Sequence, residues 1–97
     1  MTYDFHPHAQ LEYSEAAGFY EGRSPGLGAA FTVDVEETIA RILESPERWR
    51  IIERDVRRCL TRTFPYGILY TIERDSILII AVMHLRRQPD YWRNRIR

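Results

Sequence analysis

The spacing of apolar residues changes partway along this 97-residue chain, from three-and-four spacing to alternation. A helix brings residues three and four apart onto one stripe, whereas a strand puts every second residue on one face, so the change sets the order of elements. Pro7 suits the first turn of a helix, where its missing N–H is not needed. Beyond it Ala9, Tyr13, Ala16, Ala17 and Tyr20 form one helical face, with Glu12, Glu15 and Glu21 off that face. The run Gly22-Arg23-Ser24-Pro25-Gly26 reads as a turn. A second helix is expected from about Leu27 to Glu44, with Leu27, Phe31, Val35, Ile39 and Ile42 on its stripe. Ser45-Pro46 ends it, since the residue before proline is steered out of the helical region. Two amphipathic helices with a short connection make an antiparallel hairpin.

A polar stretch containing Trp49 follows, and then the period becomes two. Val56 to Thr63 reads as a strand, with Arg58 and Arg62 on one face and Arg57 on the other. Phe64-Pro65 interrupts it. Tyr66 to Glu73 and Ser76 to Met83 are the next strands, joined through Arg74-Asp75 as a two-residue hairpin. In that register Tyr70 faces Ile79 and Ile72 faces Ile77. The run from Ile77 to Val82 is apolar on both faces, as in a strand covered from both sides. Pro89 to Arg95 is expected to form a short closing helix, and Tyr3-Asp4-Phe5 an edge strand. The fold class is therefore α+β: a single domain over residues 1–97, with an N-terminal helical hairpin on a curved three- to four-stranded antiparallel sheet and a short C-terminal helix.

The formal net charge of zero conceals a division. Met1 to Glu47 holds nine carboxylates against two arginines, a net of −7; Arg48 to Arg97 holds twelve arginines against five carboxylates, a net of +7. All fourteen basic residues are arginine, whose planar fork suits phosphate and carboxylate. Genome base composition also yields all-arginine chains. The segregation of sign implies a cationic surface able to meet nucleic acid or an acidic protein partner. A domain this small buries a modest share of its surface, which favours a partner that covers some of it. No run of about 18 apolar residues could span a bilayer, and the N-terminus lacks the pattern of a signal peptide. Cys59, the single cysteine, has no internal partner, which fits a reducing compartment. The expectation is a cytoplasmic, soluble protein without membrane contact.

Several segments, in order and with matching spacing, resemble RelE/ParE-type toxins of bacterial type II toxin–antitoxin systems, the ParE-like members in particular. They are Phe5-His6-Pro7, Phe19-Tyr20-Glu21, Gly26-Leu27-Gly28 before Phe31, Asp55-Val56-Arg57-Arg58, Phe64-Pro65-Tyr66, Tyr70, and Ala81-Val82-Met83-His84-Leu85-Arg86-Arg87-Gln88-Pro89-Asp90-Tyr91-Trp92. The resemblance covers nearly the whole chain. It implies a two-helix hairpin on a curved sheet, and a cognate antitoxin that wraps and neutralises the toxin. Such pairs act in growth arrest and plasmid stabilisation, and promoter DNA is met only indirectly, through the antitoxin's own domain. One branch of the family cuts messenger RNA on the ribosome; the other poisons DNA gyrase by binding it.

Cutting RNA through a 2′-hydroxyl needs a base, a cation for the charged phosphorane-like state, and an acid for the leaving oxygen. Arg58, His84, Arg86 and Tyr91 are the candidates if the chain is a nuclease. His84 titrates near neutrality, Arg58 or Arg86 could clamp phosphate, and Tyr91 could stack on a base. Plainer readings stand beside these. His84 ends a buried strand, where a hydrogen-bonded structural histidine is equally compatible. Arg57 and Arg58 could pair with Asp55 or Glu53, exposed pairs worth roughly 0–1 kcal/mol. Tyr91 and Trp92 could cap the core, and Cys59 could simply pack. His6 and His8 flank the start of the first helix, and no metal-ligand spacing or cofactor motif is present. In the nuclease branch a basic residue precedes the second tyrosine where this chain has Gly67, and another cation is often found where it has Leu60. Losing one transition-state cation costs about 10²–10³ in rate.

The leading expectation is thus a toxin that inhibits DNA gyrase, with Arg57, Arg58, Arg62, Arg86, Arg87, Trp92 and Arg93 meeting the target or the antitoxin. A ribosome-dependent messenger-RNA endonuclease is the alternative. A degenerate, non-toxic member serving as a regulatory partner is the third.

Overall fold

The structure, a computed structural model, describes residues 1–96. In chain order it contains β1 (Thr2–Phe5), α1 (Pro7–Arg23), α2 (Leu27–Glu44), β2 (Arg50–Glu53), β3 (Val56–Leu60), β4 (Tyr66–Ile72), β5 (Ser76–His84) and a 3₁₀ turn at Arg93–Arg95. The strands form one sheet in the order β1-β5-β4-β3-β2. All neighbours are antiparallel except β1, which runs parallel to β5. The sheet therefore has five strands rather than three or four. The expected edge strand is β1, and the one addition is β2 at the other edge, Arg50-Ile51-Ile52-Glu53, too brief to show an alternating pattern. The closing helix is reduced to the 3₁₀ turn, and Arg62 lies past the end of β3, in the connection to β4.

Both helices end where turn chemistry requires. Gly28 lets them approach: a Cβ there would stand 2.6 Å from the Ala17 carbonyl oxygen. Glu21, near the end of α1, accepts from the backbone N–H groups of Gly26 and Gly28, so a carboxylate caps the N-terminus of α2. The hairpin buries Ala9, Phe31, Val35, Ile39 and Ile42 against Cys59, Tyr66, Ile68, Tyr70, Ile77, Ile79 and Val82. Tyr20, Phe31, Phe64 and Tyr66 meet through edge-on and tilted ring contacts at 4.8–6.3 Å, geometries that add to plain burial. Tyr70 donates to the Pro46 carbonyl, and burial pushes its hydroxyl up to about 12.

The opposite face carries a second core of Val56, Leu69, Ile80, Ala81, Met83 and Trp92, covered by the C-terminal segment. Trp92 is the lid, 1% exposed, with its indole N–H donating to the Pro89 carbonyl at 2.7 Å. The Tyr70–Ile79 and Ile72–Ile77 pairs occur as the hairpin reading required.

Two carboxylates hold the connections. Asp34 is 5% exposed on the inner stripe of α2 and accepts the backbone N–H groups of Arg62, Thr63 and Phe64 at 2.7–3.0 Å. It thereby supplies the acceptors that an irregular β3–β4 connection lacks. Glu12 serves the edge of β5. A bulge between the Leu69–Ala81 and Tyr70–Ile79 pairs shifts the strand where β1 has already ended. There the Val82 N–H donates to Glu12 at 3.0 Å, and the Ile80 carbonyl accepts from Arg95 at 3.1 Å. Arg95 and Glu12 also meet head-on at 2.9 and 3.0 Å, with side chains only 9% and 13% exposed. One ion pair thus closes an open edge and ties the C-terminal segment to α1.

Two stability outcomes follow from these contacts. Glu12→Ala leaves Arg95 charged and enclosed and should lower the unfolding free energy by about 3 kcal/mol, while Arg95→Met should cost less; urea unfolding that finds a Glu12→Ala loss below about 1 kcal/mol contradicts this role. Asp34→Ala orphans three backbone donors and should cost about 2–3 kcal/mol, with hydrogen exchange rising first at Arg62, Thr63 and Phe64.

Candidate functional site

Strand alternation puts Arg58 on the face away from the helical hairpin, opposite Leu69 and in the same layer as Met83. Its stem crosses Gly67: a Cβ at Gly67 would lie 3.1 and 3.2 Å from the Cδ and Cγ of Arg58. Gly67, where a nuclease-like member is expected to carry a basic side chain, therefore makes room for an arginine arriving from the next strand. The guanidinium borders a cleft of about 400 Å³ shared with Glu53, Met83, Asp90, Trp92 and Arg93. Arg93 is neutralised there by a two-point pair to Glu53 at 2.7 and 2.9 Å and a contact to Asp90 at 3.3 Å. Arg58 makes no ion pair or side-chain hydrogen bond among the described residues.

Arg86, Arg87 and Tyr91 occupy the turn that leaves β5. The Arg87 guanidinium lies 3.9 Å from the centre of the Tyr91 ring and 3.6 Å from Glu12, and Arg95 stands 5.0 Å from the same ring. Tyr91 is thus bracketed by two cations and is not a free stacking platform. Its hydroxyl is buried beside Glu12 without a hydrogen bond of good geometry. Burial first, and then the Glu12 carboxylate, pushes it far above the usual phenol range. It stays protonated and cannot serve as a base near neutral pH. Arg86 is exposed, and among the described residues its guanidinium has no partner.

His84 faces the other way. Its ring meets Tyr66 edge-on at 5.1 Å on the helical side of the sheet, and its Nδ1 accepts the Arg86 backbone N–H at 3.0 Å. That bond occupies Nδ1 and orients the ring. Arg57 also points to the helical side, where it donates to the Glu47 and Trp49 carbonyls at 2.9 and 2.8 Å. Neither Asp55 nor Glu53 pairs with Arg57 or Arg58; Glu53 is taken by Arg93. The structure therefore gathers Arg58 and Arg93 around one cleft, while Arg86 and Arg87 lie in the turn after β5 and do not line it. It separates Arg58 from His84 by the thickness of the sheet. Trp92 supports this surface from within the core, and Arg62 sits apart in the β3–β4 connection.

Cys59 is buried and free. Burial raises its thiol, opposed by the charges of Arg41, Arg62 and Arg48. No group of three or more His, Cys, Asp or Glu side chains among the described residues could hold a metal ion, and no helix there is long and apolar enough to cross a membrane.

Two residues that shape the surface are not apparent from motif reading. Asp34 had a signal, since a charged residue set between Phe31, Val35 and Thr38 falls inside a buried stripe. Glu12 had none, because its partners Arg95 and Val82 come from distant parts of the chain.

A comparison with curated proteins finds no match. Among solved structures, a chain from "Chromosomal ParDE TA system from P. aeruginosa" superposes with a TM-score of 0.78 at 14% identity, over 89% of this chain and 97% of that one. At that identity the likeness speaks for the fold. The family described as "ParE toxin of type II toxin-antitoxin system, parDE" matches residues 3–89, spanning both helices and every strand. The chain belongs to the ParE toxin family of type II toxin–antitoxin systems.

Proposed function

We propose that this toxin arrests growth by binding DNA gyrase, that it cuts no RNA, and that its cognate antitoxin neutralises it by covering cationic surface. The observation that carries a binding role is the lack of a convergent acid, base and cation. Arg58 stands on one face of the sheet and His84 on the other, with the His84 Nδ1 engaged by backbone. Tyr91 is held protonated by burial and the Glu12 carboxylate, and two guanidinium groups lie against its ring. General acid–base catalysis needs its groups within hydrogen-bond reach of the same reacting atoms. A binding surface needs only complementary charge and shape, and Arg58 and Arg86 offer guanidinium forks without internal partners.

The same arrangement limits the alternative. A ribosome-dependent nuclease would have to draw Arg58, His84, Arg86 and Tyr91 onto one phosphate, which requires His84, at the end of β5, to leave Tyr66 and turn to the other face of the sheet. Cytoplasmic action follows from a gyrase target and belongs to this proposal.

Purified gyrase should lose supercoiling activity when the toxin is added at micromolar concentration. Arg58→Ala and Arg86→Ala should each weaken inhibition about 10-fold, the scale of losing a charged contact at an interface. His84→Ala should leave inhibition within about 2-fold, on the scale where 1.4 kcal/mol is tenfold. Full supercoiling in the presence of toxin, with codon-aligned cuts in translated messages that vanish in His84→Ala, would establish the nuclease instead.

A further inference from the structure

A cluster of arginines at the C-terminal end of α2 has no role in the surface described above. Arg41 is half-buried, and its guanidinium has only neutral acceptors: the Thr38 hydroxyl at 3.0 Å, the Leu60 carbonyl at 3.4 Å and the Cys59 thiol at 3.7 Å. Its Nε is buried with no hydrogen-bond partner. Arg48 lies 5.0 Å and Arg41 5.7 Å from the centre of the Trp49 ring. Arg62 follows two residues after Leu60, whose carbonyl Arg41 reaches, with its backbone N–H anchored on Asp34 of the same helix.

Among the described residues none of the three makes an ion pair, although Glu37, Glu44 and Glu47 are close in sequence. Asp34 is occupied by three backbone N–H groups. The C-terminal dipole of α2 offers roughly half a negative charge, against three guanidinium groups. Arg41, half-buried, gains from an opposite charge nearby, and the exposed Arg48 and Arg62 are free to hold one.

We propose that Arg41, Arg48 and Arg62 form a carboxylate-binding site for an acidic segment of the cognate antitoxin. This rests on the toxin having the antitoxin that its family implies. A carboxylate held by the exposed Arg48 and Arg62 guanidinium groups would balance charges that have no ion pair among the described residues. Three features favour a peptide over a nucleic acid. Arginines cover the Trp49 ring, so it offers no open stacking surface. Leu60, 46% exposed, adds an apolar contact beside the cations. Glu37 and Glu44, exposed on α2 and close to Arg41 in sequence, disfavour a phosphodiester run with a charge at every unit more than a peptide that places one carboxylate at the site.

The test is the affinity of the toxin for its antitoxin, measured by fluorescence anisotropy at low and high salt. The double variant Arg48→Glu/Arg62→Glu should bind about 10- to 100-fold more weakly, with a flatter salt dependence, as expected when a desolvated charge pair is lost. Arg74→Glu, in the exposed β4–β5 turn, should change nothing. Thermal melts establish that the variants fold, and the singles Arg48→Gln and Arg62→Gln decide the matter if the double variant does not. Unchanged antitoxin affinity in folded variants overturns the proposal, whatever gyrase does. So does a single-stranded oligonucleotide that binds the wild-type toxin and is lost from the double variant while antitoxin binding persists. Failure of the wild-type toxin to bind antitoxin at all removes the premise along with the proposal.

Discussion

Strand β5 is apolar on both faces, and burying both of them organises the molecule. One face takes the helical hairpin, whose stripe from Ala9 through Ile42 meets Ile77, Ile79 and Val82. The other takes the C-terminal segment, with Trp92 and Ile96 over Ile80, Ala81 and Met83. A strand covered on both sides still has an exposed flank where β1 stops. The bulge at Ile80 and the Glu12–Arg95 pair close it. That pair joins α1, β5 and the C-terminal segment, so each cover supports the other.

This organisation divides the arginines by environment. Arg87, Arg93 and Arg95 are paired with carboxylates, and Arg57 is held by backbone carbonyls. Their charge serves the fold as much as any partner. Arg58 and Arg86 on the outer surface, with Arg48 and Arg62 near the end of α2, make no ion pair among the described residues. A zero net charge therefore coexists with local positive fields that a partner can use. The cleft beside Arg58 has the outline of an active site, yet its acid–base candidates lie elsewhere.

Sequence patterning revealed most of the fold because its signals are local. Pro7, the Gly22–Gly26 turn and Ser45-Pro46 mark both helices within the chain, and the Arg74-Asp75 turn sets the β4–β5 register. The short edges were harder. β2 has too few residues to alternate visibly, and the direction of β1 depends on where the chain crosses to reach α1. The short closing helix is the 3₁₀ turn Arg93–Arg95, and its hold on the sheet comes from Trp92 packing into the second core and Arg95 reaching the Ile80 carbonyl, contacts a local pattern does not carry. At the site, residue types and family pattern pointed to Arg58, His84, Arg86 and Tyr91. Which face each one occupies depends on strand parity and on the bulge in β5, and parity sets Arg58 and His84 apart. The role of Arg58 over Gly67 lay in the β3–β4 register, which a single strand's sequence does not carry.

The central claim is that this toxin works through its arginine surface by binding and not by chemistry. Titrating immobilised gyrase with the purified toxin tests it most directly. The account predicts saturable binding at a fixed stoichiometry, with affinity that falls as salt rises. Absence of binding, together with growth arrest by far fewer toxin molecules than gyrase molecules, would contradict it and point to a catalyst.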